Sequence, residues 1–438
     1  MRRPGWQFAT ETLVMIGVLA AALWVYGGAA RRLAYMPDEG DYISTARYFG
    51  YLFLRHDITR PDWGDSYLNH AQPNVARYIL GGWLWARGYD LDKVPSYRHW
   101  DMSKSFEENR SRGWVPGDEL LWEVRNPMVL LVAGSVALLY LLGRILGGPI
   151  AGLSAATFVL ASPLALDDLP LAVNEPPLVF FVVLGLLLAV LGARRGHRGS
   201  LPTGWAIALG AALGLAVGSK LTAVLSLVAI IAWGALVAAA AWRRAEPLPR
   251  ARLARAWAAG RGWALALGVA LAVFVISDPH LYPNPPLHIG HFLDHRVHEM
   301  QGQQLRFPGD ALTNALDRPR YVLGRSLIAG TWSGSRGLPL EAVLAGAGAA
   351  LLVTRTWRGR RGTGRSPIEA LVLLTVLVYF GGVSAGLLLA WDRFFIPTLV
   401  LGSLLSGLGL SAICRQLGVL GAALRSPRQS APARAQEA

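Results

Sequence analysis

The sequence predicts an all-α protein that crosses a membrane many times. It reads as a bundle of about ten transmembrane helices with interfacial helices on the outer face. Three observations carry this. The 438 residues are 53% hydrophobic and 16% charged. Several apolar runs approach the ~20 residues that a helix needs to cross a bilayer. The arginines gather in short segments between those runs, so the formal net charge of +14 reads as membrane topology and gives no reason to expect a nucleic-acid partner. Cys414 is the only cysteine, which excludes an intramolecular disulfide and a cysteine-built metal site.

The first run, Phe8 to Ala29, follows Arg2 and Arg3. No A-x-A-like cleavage site separates it from the acidic stretch beyond, so it reads as an uncleaved anchor. Further spans start near Pro127, Gly148, Pro177, Thr203, Leu221, Trp263, Leu338, Pro367 and Arg393. Arg144, Arg194, Arg195, Arg198, the stretch from Arg243 through Arg261, Arg355 through Arg365, and the tail from Arg415 all fall on one side. The positive-inside rule makes that side cytoplasmic. Both termini then lie in the cytoplasm and the protein is a multi-pass plasma (inner) membrane protein. Residues 1–425 read as a single transmembrane domain, and 426–438, rich in Ala, Pro, Arg and Gln, as a disordered cytoplasmic tail.

The opposite side carries the acids. All sixteen Asp residues fall outside or at outer helix ends, which the charge rule does not require. The active site is therefore expected on the extracytoplasmic side. Trp24, Trp83, Trp85, Trp242, Trp332 and Trp391 fall near the interfaces as an aromatic belt. Two outer loops are long, 31–123 and 278–336, and loops of that length call for structure of their own. Ile43, Ala46, Gly50 and Phe53 recur at helical spacing, so a surface helix is expected to start at Asp38. A second is expected after Pro73, over NVARYILGGWLWARG. Lys93 to Pro116 is polar and reads as mobile.

Five constellations could carry chemistry. Asp38 and Glu39, directly after the first span, suit a general base at the membrane boundary, or a solvated helix cap. Asp167, Asp168 and Glu175 lie at the end of one span and the start of the next; each alone could be a cap, and their combination suggests a shared site. Lys220 interrupts a Gly-rich apolar run and falls outside, against the charge rule. It would suit a bound phosphate, or would snorkel to water. Arg393, at the outer start of the last span, offers a planar fork for a phosphate, or simply pairs with Asp392. His288, His291, His295 and His298 fall three, four and three apart on one helical face. A divalent metal could sit there, but the plainer reading is a polar helix on the interface with Asp278 and His280 nearer the site; no metal or other cofactor is required.

These features together resemble the GT-C glycosyltransferases, most nearly bacterial relatives of the dolichyl-phosphate-mannose protein mannosyltransferases and, more distantly, the lipid A aminoarabinose transferases. In that family an acidic pair follows the first span, as Asp38-Glu39 does here. NHAQPNVARYILG, with His70, Pro73 and Arg77, resembles an interrupted H-P-P-L stretch. NEPPLVFF with Glu175, the Ser219-Lys220 pair, Asp278 to Pro285, and Arg393 to Pro397 resemble the remaining motifs in order. The lectin-like outer domain of the eukaryotic members has no counterpart. The resemblance implies inverting sugar transfer from a polyprenyl-phosphate donor to a protein, glycan or lipid acceptor. Asp38 would act as base with Glu39 or Glu175 orienting it. Lys220 and Arg393 would meet the phosphate, and Arg77, Asp167, Asp168, Asp278 and His280 would help bind substrate. Two rival classes remain. One is a secondary transporter, which would hold its ionisable groups near the midplane within repeated halves. The other is a surface-glycan polymerase or ligase.

Overall fold

The computed structural model describes residues 4–64, 69–70, 72–196, 199–245, 248–362 and 368–425. The tail expected to be disordered, 426–438, lies outside them. The chain forms α1 (Pro4–Arg32), α2 (Pro37–Ser44), α3 (Val75–Ala86), α4 (Phe106–Ser111), α5 (Asp118–Gly147), α6 (Pro149–Leu160), α7 (Pro163–Asp168) and α8 (Glu175–Arg195). It continues through α9 (Thr203–Ser219), α10 (Val224–Arg243), α11 (Pro249–Ile276), α12 (Pro285–Arg306), α13 (Asp317–Gly324), α14 (Leu340–Gly362), α15 (Ile368–Gly386) and α16 (Ile396–Arg425). The described residues form no sheet, only an isolated bridge between Ala311 and Leu389.

A helix lies at each expected span, but two begin well before their apolar run. α5 starts at Asp118 and carries Pro127 inside it. α11 starts at Pro249, with an arginine-rich first half. Hydropathy marks the part of a helix that suits lipid, whereas the hydrogen-bond ladder continues into polar sequence. Seven helices among the described residues are long and apolar enough to cross a bilayer; α6 and α9 are apolar but shorter. α14 falls outside both groups, because its last turns read TRTWRGRRG.

The spans pack closely through small residues. A Cβ at Gly210 or Gly214 of α9 would stand 2.5 or 2.6 Å from the carbonyl oxygens of Ala266 and Ala270 in α11. Only hydrogen at those positions allows the two backbones to approach that far. One apolar cluster runs through the bundle from Val18 to Leu408. A second, built on Tyr42, Ile43, Leu80, Leu84, Val124 and Leu171, lies beneath the first long loop.

That loop has helices at both expected starts, α2 and α3, but α2 ends at Ser44, short of Ala46, Gly50 and Phe53. The segment Lys93–Pro116, expected to be mobile, is tied down instead. Tyr97 is buried and its backbone N–H donates to Ser44 Oγ at 2.8 Å. Within it α4 carries a reciprocal cap, Glu108 N–H to Ser105 Oγ at 3.2 Å and Ser105 N–H to Glu108 Oε2 at 3.0 Å. Polarity alone did not reveal that its few apolar residues find a core in α2.

Candidate active site at the helix ends

A cavity of about 870 Å³ opens at the end of the bundle that the charge rule places outside. Six of the ten expected site residues line it: Asp38, Asp167, Asp168, Glu175, Lys220 and Arg393. Each arrives there at a helix end. Asp38 occupies the first turn of α2, after Pro37 sets the entering backbone. Asp167 and Asp168 close the short α7, and Glu175 opens α8 just ahead of Pro176 and Pro177. α9 stops at Ser219, where Lys220 adopts extended φ/ψ of −157° and 135° and turns its chain inward. Arg393 lies in the 3-10 turn that leads into α16.

Opposite charges meet across these ends. Arg393 pairs with Asp38. Lys220 Nζ lies 2.5 Å from Glu175 Oε1, 3.5 Å from the Arg393 carbonyl and 5.2 Å from the Phe394 ring centre. Lys220 therefore does not snorkel to water: its side chain is 11% exposed and holds a carboxylate. Asp392 does not take its neighbour Arg393. It pairs with Arg325, Nε to Oδ1 at 3.0 Å, and accepts from the Tyr321 hydroxyl at 3.1 Å. Burial and three neighbouring carboxylates, Glu175, Asp392 and Asp167, push the Asp168 carboxyl up to about 7. Its buried Oδ2 has no hydrogen-bond partner among the described residues. Burial pulls the Arg393 guanidinium down to about 10, so it stays charged at neutral pH.

The other four expected residues do not line the cavity, and their places correct the reading of them. Glu39, expected to be catalytic, is fully buried. Its oxygens accept from Arg125 at 2.8 and 2.6 Å, from the Ala172 N–H at 2.8 Å and from the Met36 N–H at 3.0 Å. A carboxylate saturated in this way orients the first turn of α2 and does not reach a substrate. Asp38, about 100° away round the same helix, lines the cavity instead. Arg77, Asp278 and His280, expected to bind substrate, form a buried hub. Arg77 donates to Asn69 Oδ1 at 3.2 Å and to Asn74 Oδ1, and Asn74 donates to Asp278 Oδ1 at 2.9 Å. His280 Nδ1 lies 3.1 Å from the Trp63 carbonyl. Burial raises Asp278 to about 7 and, with His70 beside it, lowers His280 to about 4. The hub joins the first long loop to the end of α11.

Several cavity residues were not foreseen. Arg296, Glu299, Gln303 and Arg306 reach it from α12, and Asp310 and Arg325 from beyond it. α12 is polar on more than one face, so its sequence does not show which face meets a site. Arg125 had a usable signal: it stands at the outer start of a span against the charge rule, as Lys220 and Arg393 do. His288, His291 and His295 join a chain of ring contacts with His280 and His70, at centroid separations of 4.3 to 6.1 Å. His298 instead faces Asp294. Among the described residues no three His, Cys, Asp or Glu converge as a metal site.

Set against known proteins, residues 96–277 match the family model described as dolichyl-phosphate-mannose-protein mannosyltransferase. The match takes in Asp167, Asp168, Glu175 and Lys220 but stops short of Asp38 and Arg393. The fold is similar to that of ArnT from Cupriavidus metallidurans bound to undecaprenyl phosphate, with a TM-score of 0.52 and 17% identity over 94% of this chain and 64% of that one. It is also similar to the oligosaccharyltransferase AglB from Archaeoglobus fulgidus in complex with an inhibitory peptide and a dolichol-phosphate, with a TM-score of 0.52 and 14% identity over 96% of this chain and 53% of that one. A third likeness is to the Archaeoglobus fulgidus oligosaccharyltransferase tethered with an acceptor peptide, at a TM-score of 0.51, 13% identity, 93% of this chain and 50% of that one. The chain thus spans just under two thirds of the ArnT chain and about half of the oligosaccharyltransferases. No curated protein matches the sequence. The likeness at these identities is one of fold.

Proposed function

We propose that the protein transfers a sugar from a polyprenyl-phosphate donor to an acceptor hydroxyl at the outer membrane boundary, with inversion at the anomeric carbon. The observation that carries this reading is the gathering, in one cavity, of a carboxylate from just after the first span and two cations from separate helix ends. The acceptor oxygen attacks the anomeric carbon from the face opposite the phosphate, and its proton passes to Asp38. The bond from that carbon to the phosphate oxygen breaks, and its electron pair leaves with polyprenyl phosphate. Charge builds on the phosphate as this happens, and Lys220 and Arg393 stand where they would stabilise it. Glu175 holds Lys220 in place, and Glu39, through Arg125, holds the turn that presents Asp38. The donor class draws support from the family model's description and from the undecaprenyl phosphate and dolichol-phosphate bound to structures of the same fold. The lipid tail of such a donor would lie in the bilayer beside the spans. We place the protein in the plasma membrane with both termini in the cytoplasm, on the distribution of its arginines.

The test is transfer by the purified protein in liposomes, given a panel of radiolabelled polyprenyl-phosphate sugars and a membrane extract as acceptor source. Label moving from one donor into a new product supports the reading. No transfer from any donor, together with no binding of undecaprenyl phosphate by folded protein, rejects it.

A further inference from the structure

Four cations lining the cavity hold carboxylates: Arg393 with Asp38, Lys220 with Glu175, Arg325 with Asp392, and Arg296 with Glu299. The first pair differs from the rest. It joins the group that would accept a proton to a group that would hold the donor phosphate. A carboxylate oxygen engaged by a guanidinium is not free to take a proton, and a guanidinium engaged by a carboxylate is not free to fork onto a phosphate. The contact ties Nη1 of Arg393 to Oδ2 of Asp38, so in the free protein each function draws on an atom the other needs.

The surroundings make exchange between them easy. Arg393 is largely desolvated, so it favours whichever anion is at hand. The Asp38 side chain is 35% exposed, whereas its neighbour Glu39 is fully buried and fastened to Arg125. The backbone of α2 is thus fixed, and rotation of one short side chain suffices to release Arg393. A phosphate oxygen pair offers that guanidinium the same bidentate geometry that a carboxylate does.

Building on the glycosyl-donor reading, we propose that Asp38 occupies the donor-phosphate seat at Arg393 in the free protein and is displaced from it by the donor. A free base then exists only after the donor has bound, so no acceptor is activated before the donor is seated. Once polyprenyl phosphate leaves and Asp38 has passed its proton to water, the carboxylate returns to Arg393 and the site is silent again.

The exchange predicts an effect of unusual sign. Removing the base should tighten binding of the lipid phosphate, because Asp38 competes for its seat. The probe is undecaprenyl phosphate, titrated into the full chain in nanodiscs, with folding verified by monodispersity and thermal unfolding. Asp38→Asn and Asp38→Ala should each bind about two- to fivefold more tightly than wild type, the competition expected of a partly exposed ion pair. Arg393→Gln should bind more weakly, and adding Asp38→Ala to it should change nothing further. If folded Asp38 variants bind equally or less tightly than wild type, the pair is only a staple between α2 and α16 and the exchange is refuted. If wild type itself binds no undecaprenyl phosphate, the donor reading fails and this inference falls with it.

Discussion

Arg125→Met tests the reasoning about how Asp38 is presented. Methionine keeps an unbranched apolar stem and removes the guanidinium. All five N–H donors of Arg125 are used. Nε and Nη2 bind the two Glu39 oxygens at 2.8 and 2.6 Å. Nη2 also reaches the Ala34 carbonyl at 2.9 Å, and Nη1 the carbonyls of Ala30 and Leu33 at 2.7 and 2.8 Å. The side chains of Arg125 and Glu39 are 2% and 0% exposed. Leaving one partner of a buried pair behind costs about 3–5 kcal/mol, and each carbonyl deprived of its donor adds roughly a further 1 kcal/mol where water cannot enter. Of the three carbonyls only that of Ala30 belongs to a buried residue, so we expect destabilisation of about 4–6 kcal/mol, measured by denaturant titration in mixed micelles. The sharper test is the double variant. Glu39→Gln added to Arg125→Met removes the stranded charge, so it should be more stable than Arg125→Met alone despite one more substitution. A loss below about 1 kcal/mol for the single variant, or a double variant worse than the single, would refute the account.

Asp38→Asn should lower transfer by about 10² to 10⁴, the usual worth of general-base assistance, at unchanged membrane insertion; near-wild-type turnover would move the base elsewhere in the cavity. Lys220→Met keeps the stem and loses the ammonium, and donor affinity should fall by about 1.5–3 kcal/mol; titration of donor against matched variants reads this directly, and an unchanged affinity leaves Lys220 only its bond to Glu175. Asp168 is held at about 7 against its ordinary 3.8, so the folded state binds its proton more tightly than the unfolded state. Its contribution to stability is therefore complete below about pH 4 and is lost as the pH rises to about 7. Asp168→Asn should flatten the decline of Tm between pH 5 and 7 and be the more stable protein at pH 8; parallel curves for the two proteins would contradict the assignment.

The helices and the end of the bundle that carries the site were legible because hydropathy and arginine placement are read locally. That Asp38 reaches the cavity was legible for the same reason: it follows an apolar run directly. Glu39 was not, because what separates it from Asp38 is Arg125, 86 residues further along. Arg77, Asp278 and His280 looked like Lys220, polar groups at helix ends. They differ in meeting Asn69, Asn74 and Trp63 away from the cavity that Lys220 lines, and Asn74 lies 204 residues from Asp278. Asp392 next to Arg393 invited a local pair, but the backbone turn sends one toward Arg325 and the other toward Asp38. Sequence shows which residues need a partner, and only the fold shows which partner they obtain.

The distances along the chain between paired residues bear on how the protein is made. A ribosome delivers α1 and the acidic stretch long before Arg125 exists, so Glu39 stays unanswered until the second span has been threaded into the bilayer. Asp38 waits much longer, since Arg393 follows it by 355 residues. A nascent chain halted within α15 would hold Asp38 and most of the cavity lining but lack Arg393. Assembly of the site is thus deferred to the end of synthesis, and a chain released early would be inserted, largely helical and inert.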